Sequence, residues 1–224
     1  EKQKIELQNI SIKEIVAFDK YLMSPDKKLT VRTANGYLVA LRKFYEWLES
    51  NKIYPNVAKG IKSHKITKEH RKMHLTTEQC EQLLTHMKTQ SSRDRAIVAC
   101  MLGMGIRAIE VIRLDFGDIV FKSEVRVAEV RGKGRSEKDE DVVIIDELWA
   151  IIEIYLKARG ELKQADPLFA SESNNNKNGR LDTRTISFIS KEALKSIGLN
   201  SKMYTCHSLR HTNAVLLLLA GAHI

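Results

Sequence analysis

Ahead of residue 110 every apolar pattern in this chain repeats at three to four residues, and no segment alternates apolar with polar side chains. A stretch of that length without a strand signal builds its core from helices. The first stripe, over residues 11–23, is Ile12, Ile15, Val16, Phe18 and Leu22, and Ser24-Pro25-Asp26 breaks it. Thr30 caps a second helix running to about residue 49, with Tyr37, Leu38, Leu41, Phe44, Tyr45 and Leu48 as the predicted apolar face. A short helical turn is expected over 56–61, then further helices over 77–87 and 93–102. Gly103 and Gly105 interrupt the pattern and 106–114 resumes it. Only then do β-branched runs appear, at 119–121, 125–130 and 142–145, with a glycine turn at 131–135 between the last two. Helices return at 147–157, 184–196 and 208–219, and 171–179 reads as a polar loop with the composition of disorder. The expected fold class is mainly α with one small antiparallel β-sheet.

Hydrophobic residues make up 43% of the 224 residues and charged ones 29%, which is enough apolar matter for a packed core and excludes a disordered chain. No apolar run reaches the roughly 20 residues of a membrane span. The first ten residues are charged and have no signal-peptide core, and they begin without Met, so a fragment of a longer protein is expected. Three cysteines, Cys80, Cys100 and Cys206, are an odd number at spacings that fit no metal motif, which reads as reduced thiols in a cytoplasmic protein. The net charge of +9 is unevenly distributed: residues 1–73 hold 16 Lys+Arg against 8 Asp+Glu, and 74–224 hold 21 against 20. Lys59, Lys62, Lys65, Lys68, Arg71 and Lys72 crowd into one short stretch with a single acid, Glu69. Such a run is either a solvated linker or a phosphate-binding joint between two domains.

Three patches carry chemistry. In Gly105-Ile106-Arg107-Ala108-Ile109-Glu110, Arg107 and Glu110 share a helix face, as an ordinary ion pair also would. Lys133 sits between Gly132 and Gly134 on the turn joining two strands, where it projects into a cleft or merely tips a hairpin. In His207-Ser208-Leu209-Arg210-His211-Thr212, His207 and Arg210 are three apart at the start of an apolar helix. His207 and His211 have zinc-ligand spacing, but no Glu lies between them in the HExxH manner, so no metal site is expected.

Taken in order, these patches resemble the tyrosine recombinase or phage integrase family. The first is similar to its G-x-R-x-x-E segment, the second to its β-hairpin lysine, the third to its H-x-L-R-H-[TS] box. The helices ending in Leu41-Arg42-Lys43-Phe44-Tyr45-Glu46-Trp47 resemble its core-binding domain. The resemblance implies a helical core-binding (SAM-like) domain over 1–62, a basic linker over 63–73 and a mixed α/β catalytic domain over 74–224. It implies duplex DNA as partner, a homotetramer in the synaptic complex with accessory DNA-bending proteins, and no cofactor or membrane. It also implies attack by a tyrosine on a phosphodiester to leave a 3′-phosphotyrosine. Arg107 and Arg210 would then clamp the phosphoryl oxygens, whose negative charge two permanently charged, bidentate donors stabilise. Lys133 would protonate the leaving 5′-oxygen, His207 would assist proton transfer or hydrogen-bond the phosphate, and Glu110 would orient its neighbours. Arg32, Arg42, Lys43, Lys62, Lys65 and Lys68 are the candidates for DNA phosphates.

The chain departs from the family in one respect. The nucleophile is expected some tens of residues beyond the H-x-x-R box, after an L-G-H segment, and neither is found in these residues; the last tyrosine is Tyr204. Tyr37, Tyr45, Tyr54 and Tyr155 read as packing residues. This polypeptide is therefore expected to bind DNA without cleaving it, as a part of an active recombinase or as a non-catalytic protein occupying recombination sites. A helical scaffold for acidic proteins is the remaining alternative, which the ordered Arg, Lys, His, Arg set disfavours.

Overall fold

A computed structural model describes residues 9–66, 73–132, 137–138 and 140–222. The chain divides into two compact units, residues 1–69 and 70–224.

The first unit is built on two helices, α1 (Ile12–Leu22) and α2 (Val31–Ser50). Ser11 and Glu14 close a capping box on α1, and Thr30 caps α2 by accepting from the Thr33 amide. Ile15, Tyr45, Leu48 and Ala58 form one small core, and Leu22, Ala34 and Leu38 another. The predicted apolar face of α2 is too wide: Tyr37 is 51% exposed and Phe44 47% exposed, because α1 and the chain after α2 cover only the Leu38–Tyr45 side. A polar strap, absent from the sequence reading, fastens the chain leaving this unit. The Asn35 amide donates to the His64 carbonyl and accepts from the His64 amide, each at 2.8 Å. The Arg42 guanidinium donates to the Ile61 carbonyl and the Ser63 hydroxyl, each at 3.0 Å. The predicted helical turn at 56–61 is a run of hydrogen-bonded turns.

The second unit is organised around α4 (Ser92–Gly103). Every residue from Ala96 to Leu102 is buried, so this helix has no polar face to turn to water and must be enclosed. It packs against α3 (Thr77–Met87), the short α5 (Ala108–Arg113), α6 (Asp146–Arg159), α7 (Thr183–Ser196) and α8 (Cys206–Leu219). The three strands, β1 (Ile119–Lys122), β2 (Val125–Val130) and β3 (Glu140–Val143), form an antiparallel sheet in that order, with Ile119 opposite Ala128 and Val127 opposite Val143. The β1–β2 turn is Ser123-Glu124, both with positive φ. The third strand begins earlier than expected. Ile144 still donates to the Arg126 carbonyl, but Ile145 is already the N-cap of α6, so the apolar run 142–145 straddles a strand and a helix entry. The polar segment 171–179 is an ordered loop: Ala170 and Arg180 pair across its base, and Ser171 and Asn178 close hydrogen bonds within it. Its polarity reflects exposure rather than disorder. Cys80, Cys100 and Cys206 are all buried. Burial pushes the Cys100 thiol up to about 12. No helix among the described residues is long and apolar enough to cross a membrane.

Candidate active site

Arg107, Glu110 and Arg210 come together although 103 positions separate the two arginines. Arg107 is the N-cap of α5, and Glu110 lies one turn inside it. The Glu110 carboxylate accepts from the Arg107 amide at 2.7 Å and from its guanidinium at 2.5 Å. Arg210, in the second turn of α8, brings Nη1 to 3.5 Å from the same carboxylate and donates with it to the Gly105 carbonyl. Glu110 is 1% exposed, whereas the two arginine side chains are 38% and 39% exposed. The buried carboxylate therefore holds two permanent cations by their inner edges and leaves part of each guanidinium to solvent. An isolated carboxylate would be costly there; paired twice and hydrogen-bonded, it is compensated.

The elements that set this geometry are fastened locally. Thr205 and Ser208 cap α8, and Thr212 in its core-facing row accepts from the Leu75 amide at 2.8 Å and donates to the Ser208 carbonyl. Arg180, which sequence reasoning did not single out, anchors the far end of α5 by donating to the Ile112 carbonyl at 2.7 Å and pairing with Asp115. Lys138 pairs with Asp118 and, at 3.6 Å, with Asp115, which ties the residues before β3 to the turn ahead of β1. Arg180 and Lys138 carry no sequence motif, and Thr212, though it closes the H-x-L-R-H-[TS] box, reaches an amide 137 residues away.

His207 is exposed in the first turn of α8, with its Nδ1 3.6 Å from Cys206 Sγ. His211, one turn further on, meets His74 edge-on, ring centroids 5.6 Å apart, and among the described residues no cluster of His, Cys, Asp or Glu is arranged to hold a metal ion. Lys133 and Lys68 lie outside the described residues. Of the other basic candidates, Arg32, Lys62 and Lys65 are exposed, Lys43 is exposed and paired with Glu46, and Arg42 is engaged in the strap at 61–63. Chemically, the site is a cationic edge built from two forked donors, one at the N-cap of α5 and one in the second turn of α8. Such an edge suits a tetrahedral oxyanion.

The fold is shared with site-specific recombinases. It superposes on the XerH site-specific recombinase bound to palindromic difH substrate with a TM-score of 0.75 and 20% identity, over 96% of this chain and 63% of that one. It matches the Tn1549 transposon integrase in complex with transposon right end DNA with a TM-score of 0.74 and 18% identity, over 98% and 76%. The chain belongs to the phage integrase family, whose model matches residues 73–224. Similar curated proteins include the tyrosine recombinases XerC of Actinobacillus pleuropneumoniae, 32% identical over 84% of this chain and 59% of that protein, and XerA of Pyrococcus horikoshii, 30% identical over 87% and 63%. XerC of Caldanaerobacter subterraneus is 25% identical over 96% of this chain and 59% of its own length. The chain thus spans about three fifths of the length of these curated relatives.

Proposed function

We propose that this chain is the core-binding and phosphate-binding part of a tyrosine-type site-specific recombinase. Such an enzyme cuts and rejoins duplex DNA through a 3′-phosphotyrosine intermediate in the integration, excision or transposition of a mobile element. The observation that carries the reading is the convergence of Arg107 and Arg210, from opposite ends of the catalytic unit, on the buried Glu110. In the reaction the two guanidiniums hold the non-bridging oxygens of the scissile phosphate and stabilise the charge that grows in the transition state. Glu110 fixes their spacing. Lys133 supplies the proton to the 5′-oxygen, and His207 moves a proton at the phosphate or the nucleophile. Residues 1–62 act as the core-binding domain, 63–73 as a basic linker and 74–224 as the catalytic domain. Arg32, Lys43, Lys62, Lys65 and Lys68 neutralise DNA phosphates. Arg42 joins them only if it leaves its carbonyl and hydroxyl partners. The protein works in the cytoplasm as a homotetramer on paired sites, with accessory DNA-bending proteins; similar structures include a lambda integrase tetramer bound to a Holliday junction.

We carry a second reading beside it, a non-catalytic DNA-binding protein that occupies recombination sites. Two experiments test the pair. Selection from a random duplex pool should enrich one sequence, bound with an affinity that falls steeply between 50 and 200 mM salt, by about 0.9 log units per log unit of salt for each phosphate neutralised. No enrichment and no salt-dependent binding overturns the DNA reading. On a nicked suicide duplex of the selected sequence no covalent protein–DNA adduct should form. An adduct would show that these residues contain their own nucleophile.

A further inference from the structure

We infer that Asn213 is a positioning residue that sets the distance between the two arginines. The inference rests on the phosphate-binding reading of Arg107 and Arg210. Asn213 lies one turn after Arg210 on α8, so both side chains face the same neighbour. That neighbour is the turn from Gly103 to Arg107, which leaves α4 and delivers Arg107 to the start of α5. The Asn213 amide donates to the Gly103 carbonyl at 2.8 Å, and Arg210 donates to the Gly105 carbonyl at 2.5 Å. Gly103 ends α4, where the last carbonyls lack intrahelical partners, so the amide satisfies one of them from outside the helix.

The turn is shaped to receive this side chain. Gly105 has φ +62°, and a Cβ built on it would lie 2.4 Å from Asn213 Oδ1. A glycine therefore suits this position twice: its backbone adopts the positive φ readily, and it leaves room for the amide where a Cβ would push it aside. The result is a two-point latch, Asn213 on Gly103 and Arg210 on Gly105, with Glu110 reaching back to the Arg107 amide from the other side. Only the Arg210 point was foreseeable as a site residue. Without the amide, Arg210 is the one α8 side chain left on the turn, and any movement of Arg210 toward an oxyanion would pull the Gly103–Gly105 stretch against the Glu110 hold on Arg107.

The test follows the arginine Nε–Hε resonances of Arg107 and Arg210 in the 224-residue chain during titration with inorganic phosphate, with melting curves alongside. In the wild type both resonances should shift together with one Kd. Asn213→Leu keeps the volume and removes the amide; Asn213→Asp keeps the shape and removes the donor. Both should weaken the phosphate Kd about fivefold, the worth of one net hydrogen bond, and should split the two arginine responses. Asn213→Asp covers the case in which the leucine variant does not fold. A lowered melting midpoint with unchanged phosphate affinity and still-coupled shifts makes Asn213 a packing residue and overturns the inference alone. If the wild-type resonances ignore phosphate altogether, the phosphate-binding reading falls, and the latch falls with it.

Discussion

Replacing Glu110 probes the centre of the arrangement, because one buried carboxylate does three things. It accepts the Arg107 amide at the start of α5, it holds the Arg107 guanidinium at 2.5 Å, and it stands 3.5 Å from Arg210 Nη1. Glu110→Ala removes a helix cap, which costs about 1 kcal/mol. It also removes a charge-assisted hydrogen bond, which costs about 1.5–3 kcal/mol. The two guanidiniums are then left facing each other with nothing between them, but both are more than a third exposed, so solvent screens much of their repulsion. The sum is about 2.5–4 kcal/mol. For a domain of this size each kcal/mol moves the midpoint by about 2–4 °C, so a fall of about 5–15 °C is expected.

Glu110→Gln separates the contributions. A glutamine keeps one oxygen for the Arg107 amide, as capping boxes with Gln do, but loses the charge together with the second oxygen that accepts from the Arg107 guanidinium. It should cost about 1.5–3 kcal/mol, about 1 kcal/mol less than alanine, the difference being the cap. The chain has two tryptophans, Trp47 in the first unit and Trp149 in the second. Trp149 stacks on the Arg126 guanidinium 4.0 Å away, so in a Trp47→Phe background its fluorescence reports unfolding of the unit that holds Glu110. Urea melts of the two variants in that background read the order directly. A Glu110→Ala variant within about 0.5 kcal/mol of the parent, the usual range of an inert surface change, would refute the reasoning. So would a glutamine variant as unstable as the alanine one, since the cap would then contribute nothing.

Three further outcomes are expected. Arg107→Ala should destabilise the second unit more than Arg210→Ala, because Arg107 holds Glu110 at 2.5 Å and Arg210 at 3.5 Å; chemical denaturation ranks them. Asp182 caps α7 by accepting from the Thr185 amide and hydroxyl, and these hydrogen bonds hold its carboxyl below the ordinary 3.8. Its stabilisation is present above 3.8 and is lost as pH falls through the lower folded value, so Asp182→Asn, also a good cap, should flatten the acid end of the melting-point profile. Burial pushes Cys100 up to about 12 and also raises Cys80, so neither should react with a thiol reagent at pH 8 until the protein is unfolded; mass spectrometry of labelled peptides checks this.

What the sequence made legible and what it hid differ in kind. Helix starts were readable because capping is local: Ser11 with Glu14, Thr30 with Thr33 and Thr76 with Gln79 each close within three residues. The two arginines that meet at Glu110 were readable because each sits in a short motif whose spacing fits one turn of helix. The width of the α2 face was misread because Tyr37 and Phe44 fall on the same 3.6-residue period as the buried positions, and periodicity does not say how many neighbours arrive to cover it. The end of β3 was misread because β-branched residues suit a strand and a helix entry alike, and the choice was made by the pairing of Ile144 with Arg126. Asn35, Arg180 and Asn213 were invisible for a third reason: each is a common polar residue whose partner lies between 29 and 110 positions away. Those three fasten the segment at 61–64, α5 and the Gly105 turn. The groups proposed to hold a phosphate announce themselves by type and order. The groups that hold them at the right separation do not, because any donor of the right length at the right place would serve, and only the fold says where that place is.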